Sequence, residues 1–461
     1  MIKEIILDAA FDFDPAAHTE LRMQQNRKRS VSVVAGNLVG NVRTEDTGVC
    51  ARVYKNGVYG FASSGDCDIN AVKEVLNAAT ENARFMDRHV AKSRAGLPLL
   101  GDTNVLLDRE INDIEQKKYI DFVMELDDYI SRKYPSLSSR IVRAYADSME
   151  KVVRVSNGCN NSHVTPRSYI YLSLAGETGS GMSVEVMEPY GSYGTFDENF
   201  KAPEDLYERI DEQYRMLMQK QEGVFPDAGV KTCILGSDIT GILAHEAVGH
   251  TTEADLVLGG SVAGPMLNKP VASELITLVD FAHTALGKPA PLPVYADDEG
   301  TKAEDAIIIE KGMLKGYMNS RETAQHFGVK PQGNARAYLY SDEPLIRMRN
   351  TAILPGSSSI EEMIASVDDG YYMTRTSNGQ ADTTGEFMFG ISMGYEIKKG
   401  KIGKAILDTT ITGVAFDMLK TVDMVSDRMG WESSGFCGKK QPMPVGLGGP
   451  DIKCKITVGG R

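Results

Sequence analysis

The string His245-Glu246-Ala247-Val248-Gly249-His250 sets two imidazoles around a glutamate that directly follows the first of them. Imidazole is the commonest protein ligand for zinc-like metals, and a carboxylate beside two such ligands is how many metallopeptidases activate water. In the usual form of that motif the histidines stand four residues apart; here they stand five apart. At 3.6 residues per turn, side chains four apart differ by about 40° around an α-helix, and side chains five apart by roughly 140°. On a straight α-helix His245 and His250 could not face one ion. The metal reading therefore predicts a one-residue π-type insertion or a helix that unwinds at Gly249. The competing reading is a helix end with two unrelated histidines, one buried and hydrogen-bonded, the other solvated.

A catalytic zinc takes three protein ligands and keeps one position open. His245 and His250 supply two, and Glu246 suits the general base that deprotonates water and later protonates the leaving amine. Four residues are candidates for the third ligand. Glu253 lies three residues past the second histidine, and Asp255 is a weaker version of the same idea. Cys437, in Ser434-Gly435-Phe436-Cys437-Gly438-Lys439, is flanked by glycines that let a backbone approach a metal closely. Cys454 sits in an alternating segment and reads as a structural cysteine on one strand face. On chemistry alone Glu253 and Cys437 stand level. Glu253 as an added ligand would make a closed, structural site of four.

These residues need elements to position them. An α+β fold is expected: an N-terminal α/β-mixed antiparallel-sheet region, then a β-rich C-terminal domain carrying the metal-binding helix, divided as 1–95, 96–222 and 223–461. Ser30–Asn41 alternates like a strand. Val49–Ser64 contains Lys55-Asn56-Gly57-Val58, the two-residue turn of a β-hairpin. Val72, Val75, Leu76 and Ala79 give Ile69–Asp87 helical spacing, and Ile114–Lys133 reads as a second amphipathic helix. Ser93–Thr103 and Gly223–Gly229 look like boundaries. Strands are expected from Arg140 to Tyr193, with another hairpin at Asn157-Gly158, and a charged helix over Pro203–Lys220. Lys231–Leu235 reads as a strand feeding the metal helix, which Ser237 or Asp238 can cap. Ile239, Ile242, Leu243 and Glu246 form one stripe of that helix.

Two further clusters could do chemistry. Asp297-Asp298-Glu299-Gly300 could bind a hard cation, but an acidic surface loop before a Glu304–Leu314 hairpin is the better expectation. Arg336, Arg347, Arg349 and Arg375 could clamp a substrate carboxylate; scattered surface arginines serve as well.

Composition bounds the rest. A chain of 461 residues exceeds one ordinary core. Hydrophobic and charged fractions of 42% and 25% are those of a soluble globular protein. A net charge of −13 argues against direct nucleic-acid binding, which needs clustered Lys and Arg. No apolar run approaches the roughly 20 residues of a membrane helix, and the N-terminus is unlike a signal peptide. Six scattered cysteines without a CxxC pair suggest reduced thiols. Together these point to the cytoplasm and away from membranes.

The motif with Glu253 and Asp255 after it resembles the TldD branch of the TldD/PmbA metallopeptidases, a family also described as modulators of DNA gyrase. The likeness extends to Val53–Ala62, Asp297-Asp298-Glu299-Gly300-Thr301, Gly333-Asn334-Ala335-Arg336, Asn350–Gly356, Asp382–Phe387 and the tail from Cys437-Gly438-Lys439 to Gly460. It implies a Zn2+ peptidase in which both motif histidines and a C-terminal cysteine hold the metal; by position that cysteine is Cys437. It implies action on peptides or unfolded segments, such as a microcin precursor or an antitoxin. It also implies assembly with a PmbA/TldE-like subunit or, failing that, a homodimer. The PmbA branch lacks the motif, so a non-catalytic peptide-binding or partner subunit, with at most a structural metal, is the alternative. Thr251-Thr252 stands where the family usually has Gly-Leu, a departure that touches no ligand.

Overall fold

The computed structural model describes residues 6–7, 11–90, 96–98, 104–107 and 109–459. Most of the boundary expected at Ser93–Thr103 lies outside the described residues. The N-terminal half is built on a seven-stranded sheet. Its strands are β1 (His18–Val34), β2 (Asn37–Lys55), β3 (Val58–Ser64), β4 (Asn104–Leu106), β5 (Ser139–Val155), β6 (Asn160–Glu177) and β7 (Ser183–Tyr193). They lie in the order β3-β2-β1-β5-β6-β4, with β7 also on β6. β1 pairs antiparallel with both β2 and β5, so residues on either side of position 96 share one sheet.

Asn56 and Gly57 take the positive φ of a tight hairpin turn (+50° and +91°), as their sequence predicts. Ser30–Asn41, expected as one strand, instead bends at Ala35-Gly36, where φ is +47° and +84°. That turn escaped notice because alanine rarely adopts positive φ. Helix α1 (Ile69–His89) starts on Asp68, whose side chain accepts from the Asn70 and Ala71 amides, and it buries Val72, Val75, Leu76 and Ala79. Helices α2 (Gln116–Lys133) and α3 (Tyr207–Gln221) bury Phe122, Leu126, Ile130 and Ile210, Leu217 against the same sheet.

The period of two along β1 divides labour between its faces. Leu21, Met23, Val31 and Val33 belong to the cores under the helices. Arg22, Gln24 and Asn26 point the other way and donate to the Leu339, Tyr340, Asp342 and Tyr338 carbonyls of the C-terminal half.

In that half, strands Gly229–Leu235, Ile452–Val458, Thr409–Val414, Glu386–Lys398 and Asp369–Ala381 pair in turn, and the last pairs back to the first. The result is a closed barrel. Beside it a six-stranded sheet contains Leu278–Phe281, Asn350–Ile353 and Gly446–Gly449. The chain from Ser237 to Gly249 runs between the two, burying Ile239, Leu243, Ala247 and Val248 in a core shared with Phe389, Met348 and Ile353.

The acidic run 297–299 is not the surface loop expected; all three carboxylates are buried. Arg52 donates Nε to Glu20 (2.8 Å) and Nη2 to Glu299 (2.6 Å), while Lys151 donates to Asp298 at 2.6 Å. Burial alone would raise the Asp298 carboxyl, but Lys151 and Arg22 outweigh it and hold it at about 2. Glu20 is likewise held at about 2 against burial, by Arg52 and His18. Burial pulls Lys151 down to about 8, against the pull of Asp298, so the pair stays charged at neutral pH. The arginines are not free either. Arg347 and Arg349 are fully buried, Arg349 on Asp280 (2.8 Å); Arg336 donates to the Met348 and Pro444 carbonyls, and Arg375 pairs with Glu188.

Candidate metal centre

The barrel strand Gly229–Leu235 delivers the chain into helix α4 (Ser237–Ile242). Neither Ser237 nor Asp238 caps it: Gly236 is the cap position, and Asp238 accepts the Thr376 amide from a barrel strand. From Leu243 to Gly249 the helix becomes a π-helix, and the His250 amide donates to the His245 carbonyl, five residues back. This wider turn takes in the extra residue and returns His250 to the side of His245. Their ring centroids lie 5.2 Å apart at 81°. Gly249 keeps right-handed helical angles, so the chain does not unwind there. Glycine matters there for another reason: a Cβ at 249 would meet the Met348 sulfur, which would have to move aside.

Cys437 arrives from the hairpin of strands Phe436–Lys439 and Gln441–Pro444. Its Sγ is 3.3 Å from His250 Nε2. Side-chain donors of His245, His250 and Cys437 all fall within 4.8 Å of one another. Zinc bonds of about 2.0–2.3 Å place tetrahedral ligand atoms roughly 3.5 Å apart, so the three donors are of the right kind and close to the right span. His245 is 1% exposed, and among the described residues neither of its ring nitrogens has a hydrogen-bond partner. A buried imidazole left that way is unfavourable unless a ligand claims it. Burial would raise the Cys437 thiol, yet the adjacent His245 and His250 bring it down to about 3. Burial would lower His250, yet its bonds to Cys437 and Glu253 hold it up to about 10. The thiolate character that results is what a zinc-like ion needs.

Glu246 is at the open side. Its carboxylate oxygens stand 3.9 Å from His245 Nε2 and 3.6 Å from His250 Nε2, and its side chain is 24% exposed. Glu253 is not among the three donors; it is fully buried behind His250, with Oε2 3.1 Å from Nδ1. Asp255 accepts twice from Lys439 Nζ, at 2.7 and 2.8 Å. Cys454 sits beside Cys233 on the neighbouring barrel strand, where burial raises its thiol well above the ordinary range.

Of the residues that hold the Cys437 hairpin, sequence reasoning singled out Arg347 alone, as a possible substrate clamp and not as a brace. Arg347 donates Nη2 to the Cys437 carbonyl (2.6 Å) and Nη1 to that of Gln441 (2.7 Å). From β6, Tyr169 and Tyr171 donate to the Ser433 and Ser434 carbonyls at 2.6 and 2.8 Å. Tyr145 and Tyr338 stand edge-on to Phe436. Only the Cys-Gly-Lys string hinted at Lys439; Tyr169 and Tyr171, more than 260 positions upstream in sequence, left no local signal.

Residues 228–460 match the model of the PmbA/TldA metallopeptidase C-terminal domain, and residues 19–83 that of PmbA/TldA metallopeptidase domain 1. A zinc metalloprotease TldD homolog of Saccharolobus solfataricus is 31% identical over 423 residues, 90% of each chain. A metalloprotease TldD homolog of Buchnera aphidicola is 32% identical over 437 residues, 90% of this chain and 87% of the other. The crystal structure of TldE from Thermococcus kodakarensis shares the fold, with a TM-score of 0.76 and 18% identity over 97% of each chain. By sequence the chain belongs to the TldD/PmbA metallopeptidase family.

Proposed function

We propose that the chain is a zinc-dependent peptidase acting on peptides or unfolded protein segments. His245, His250 and Cys437 would hold the ion, and Glu246 would be the general base. The observation that carries this reading is the half-buried Glu246 carboxylate facing the Nε2 atoms of both histidines. The relative named as a zinc metalloprotease supports zinc, as does a donor set of one thiolate and two imidazoles, which does not suit oxygen-seeking ions. Glu253 standing behind His250 favours a three-ligand, open site over a closed structural one.

When bound, the ion supplies Lewis acidity and makes water acidic near neutral pH. Glu246 accepts a proton from the attacking water at a carboxylate oxygen and passes it to the leaving amine. The hairpin clamped by Arg347, Tyr169 and Tyr171 keeps Cys437 aligned with the histidines. A PmbA/TldE-like subunit or a second copy of the chain is the partner this reading carries.

The test is metal analysis of the purified chain together with cleavage of an unfolded polypeptide, with chelator and after zinc is restored. About one zinc per chain and chelator-sensitive cleavage are expected. Protein that holds no zinc and cleaves nothing, with or without a PmbA-like subunit, would instead be a non-catalytic peptide-binding or partner subunit.

A further inference from the structure

We infer that Lys439 is a positioning residue for His250, acting through the buried carboxylate of Glu253; the inference rests on the zinc reading above. Glu253 is 0% exposed, and its Oε2 serves two partners. His250 Nδ1 donates to it at 3.1 Å, and Lys439 Nζ stands at 3.1 Å from the same atom. Its other oxygen, Oε1, has no hydrogen-bond partner among the described residues, so the contacts at Oε2 are the ones that fix the carboxylate. Lys439 is itself anchored: Nζ donates to both Asp255 oxygens and to the Ile346 carbonyl at 3.1 Å. The chain of contacts therefore runs Asp255–Lys439–Glu253–His250, and beyond it His250 Nε2 lies 3.3 Å from Cys437 Sγ.

Each link has a physical consequence. A buried carboxylate is tolerated when an opposite charge and hydrogen bonds compensate it; the Lys439 ammonium, 11% exposed, is the cation that reaches Glu253. With Oε2 held by the Nδ1–H, Nδ1 keeps its proton, and the nitrogen left to give one up to an incoming ion is Nε2, on the side of Cys437 and His245. Such partners behind a metal-ligating histidine set its orientation and basicity. Strand geometry explains why Lys439 does this. Cys437 and Lys439 lie two apart on one strand, so their side chains share a face. One face of that strand thus gives a donor to the metal side of His250 and a charge to the carboxylate behind it.

A lysine that merely tacked the hairpin down would not change the state of His250, and this separates the two roles. Zinc dissociation constants, read by competition with a chromophoric chelator, are compared for wild type, Lys439→Met, Glu253→Gln, the double variant and Lys439→Arg. Histidine-selective 15N labelling follows the His250 Nδ1–H resonance in each, with and without zinc. Lys439→Met and Glu253→Gln should each weaken zinc binding by about 10- to 100-fold. The double variant should be no weaker than the worse single one, and Lys439→Arg should regain most of the loss. The Nδ1–H resonance should shift or exchange away in Lys439→Met. Zinc affinity within twofold of wild type and an unchanged resonance in Lys439→Met would overturn the inference, as would losses that multiply in the double variant. If wild type takes up no zinc, the peptidase reading fails while the resonance of the metal-free protein still decides this one. If Lys439→Met does not fold, Asp255→Asn, which loosens the anchor at its outer end, decides by the same resonance: a shift supports the inference, no change overturns it.

Discussion

The sulfur of Met348 occupies the space that a Cβ on Gly249 would need. The π-turn that converges the two histidines is therefore packed at its last residue against the Met348 side chain, which a methyl group at 249 would have to displace. Gly249→Ala should lower stability by about 1–3 kcal/mol, as overpacking does. Thermal unfolding of a two-by-two set checks the cause: Met348→Ala should cost less in the Gly249→Ala background than in wild type. Equal costs in both backgrounds would show that the two positions are not coupled.

Glu246 reaches both imidazoles without belonging to the three convergent donors. Glu246→Gln should keep the zinc content of wild type and lose about 10²- to 10⁴-fold in peptide hydrolysis, the range for a general base. Cleavage at the wild-type rate in that variant would remove Glu246 from the mechanism.

The two C-terminal cysteines should part company in metal analysis. Cys437→Ser is expected to lose most of its zinc, because Sγ stands 3.3 Å from His250 Nε2. Cys454→Ser, altered on a barrel strand beside Cys233, should keep its zinc. The opposite pattern would mean the wrong sulfur has been assigned.

Acid should loosen the contact between the N-terminal sheet and the C-terminal half. Glu20 and Asp298 are both held at about 2 in the folded chain, below the ordinary carboxylate values of 4.5 and 3.8. Their stabilisation is thus fully present above about pH 5 and is lost as pH falls toward 2, on the order of 3 kcal/mol for Glu20 and 2 kcal/mol for Asp298. Urea midpoints measured from pH 6 down to pH 2.5 should fall accordingly. Asp298→Asn, which strands Lys151 without its counter-charge, should cost about 3–5 kcal/mol at neutral pH and flatten part of that acid slope.

What could be read from the sequence was local. Asn56-Gly57 announces its turn, the Val72–Ala79 spacing its helix, and the five-residue histidine spacing the π-turn found at Leu243–Gly249. What could not be read depends on residues far apart. Asp298 and Glu299 look like surface acids until β1, β2 and β5 bring Arg22, Arg52 and Lys151 to them. The polar face of β1 is indistinguishable in sequence from a solvated one, since a buried interface rich in hydrogen bonds has the same alternation. On chemistry alone Glu253 stands level with Cys437, because both can bind zinc; the family resemblance favours the cysteine, and the fold puts Cys437 beside the histidines and Glu253 behind His250. Barrel closure left no trace, because pairing of Asp369–Ala381 with Gly229–Leu235 is written in no short window.

Arg347 joins the carbonyls of Cys437 and Gln441 from opposite strands of the hairpin, through one buried guanidinium. The sulfur donor is thereby preorganised: its ordering entropy is spent when the chain folds, not when an ion arrives. Metal uptake should then resemble filling a rigid chelator, with a heat-capacity change near zero and a hairpin equally protected from amide exchange before and after. Arg347→Lys, which cannot span both carbonyls, would turn uptake into a folding event of the hairpin, slower and more temperature-dependent than in wild type.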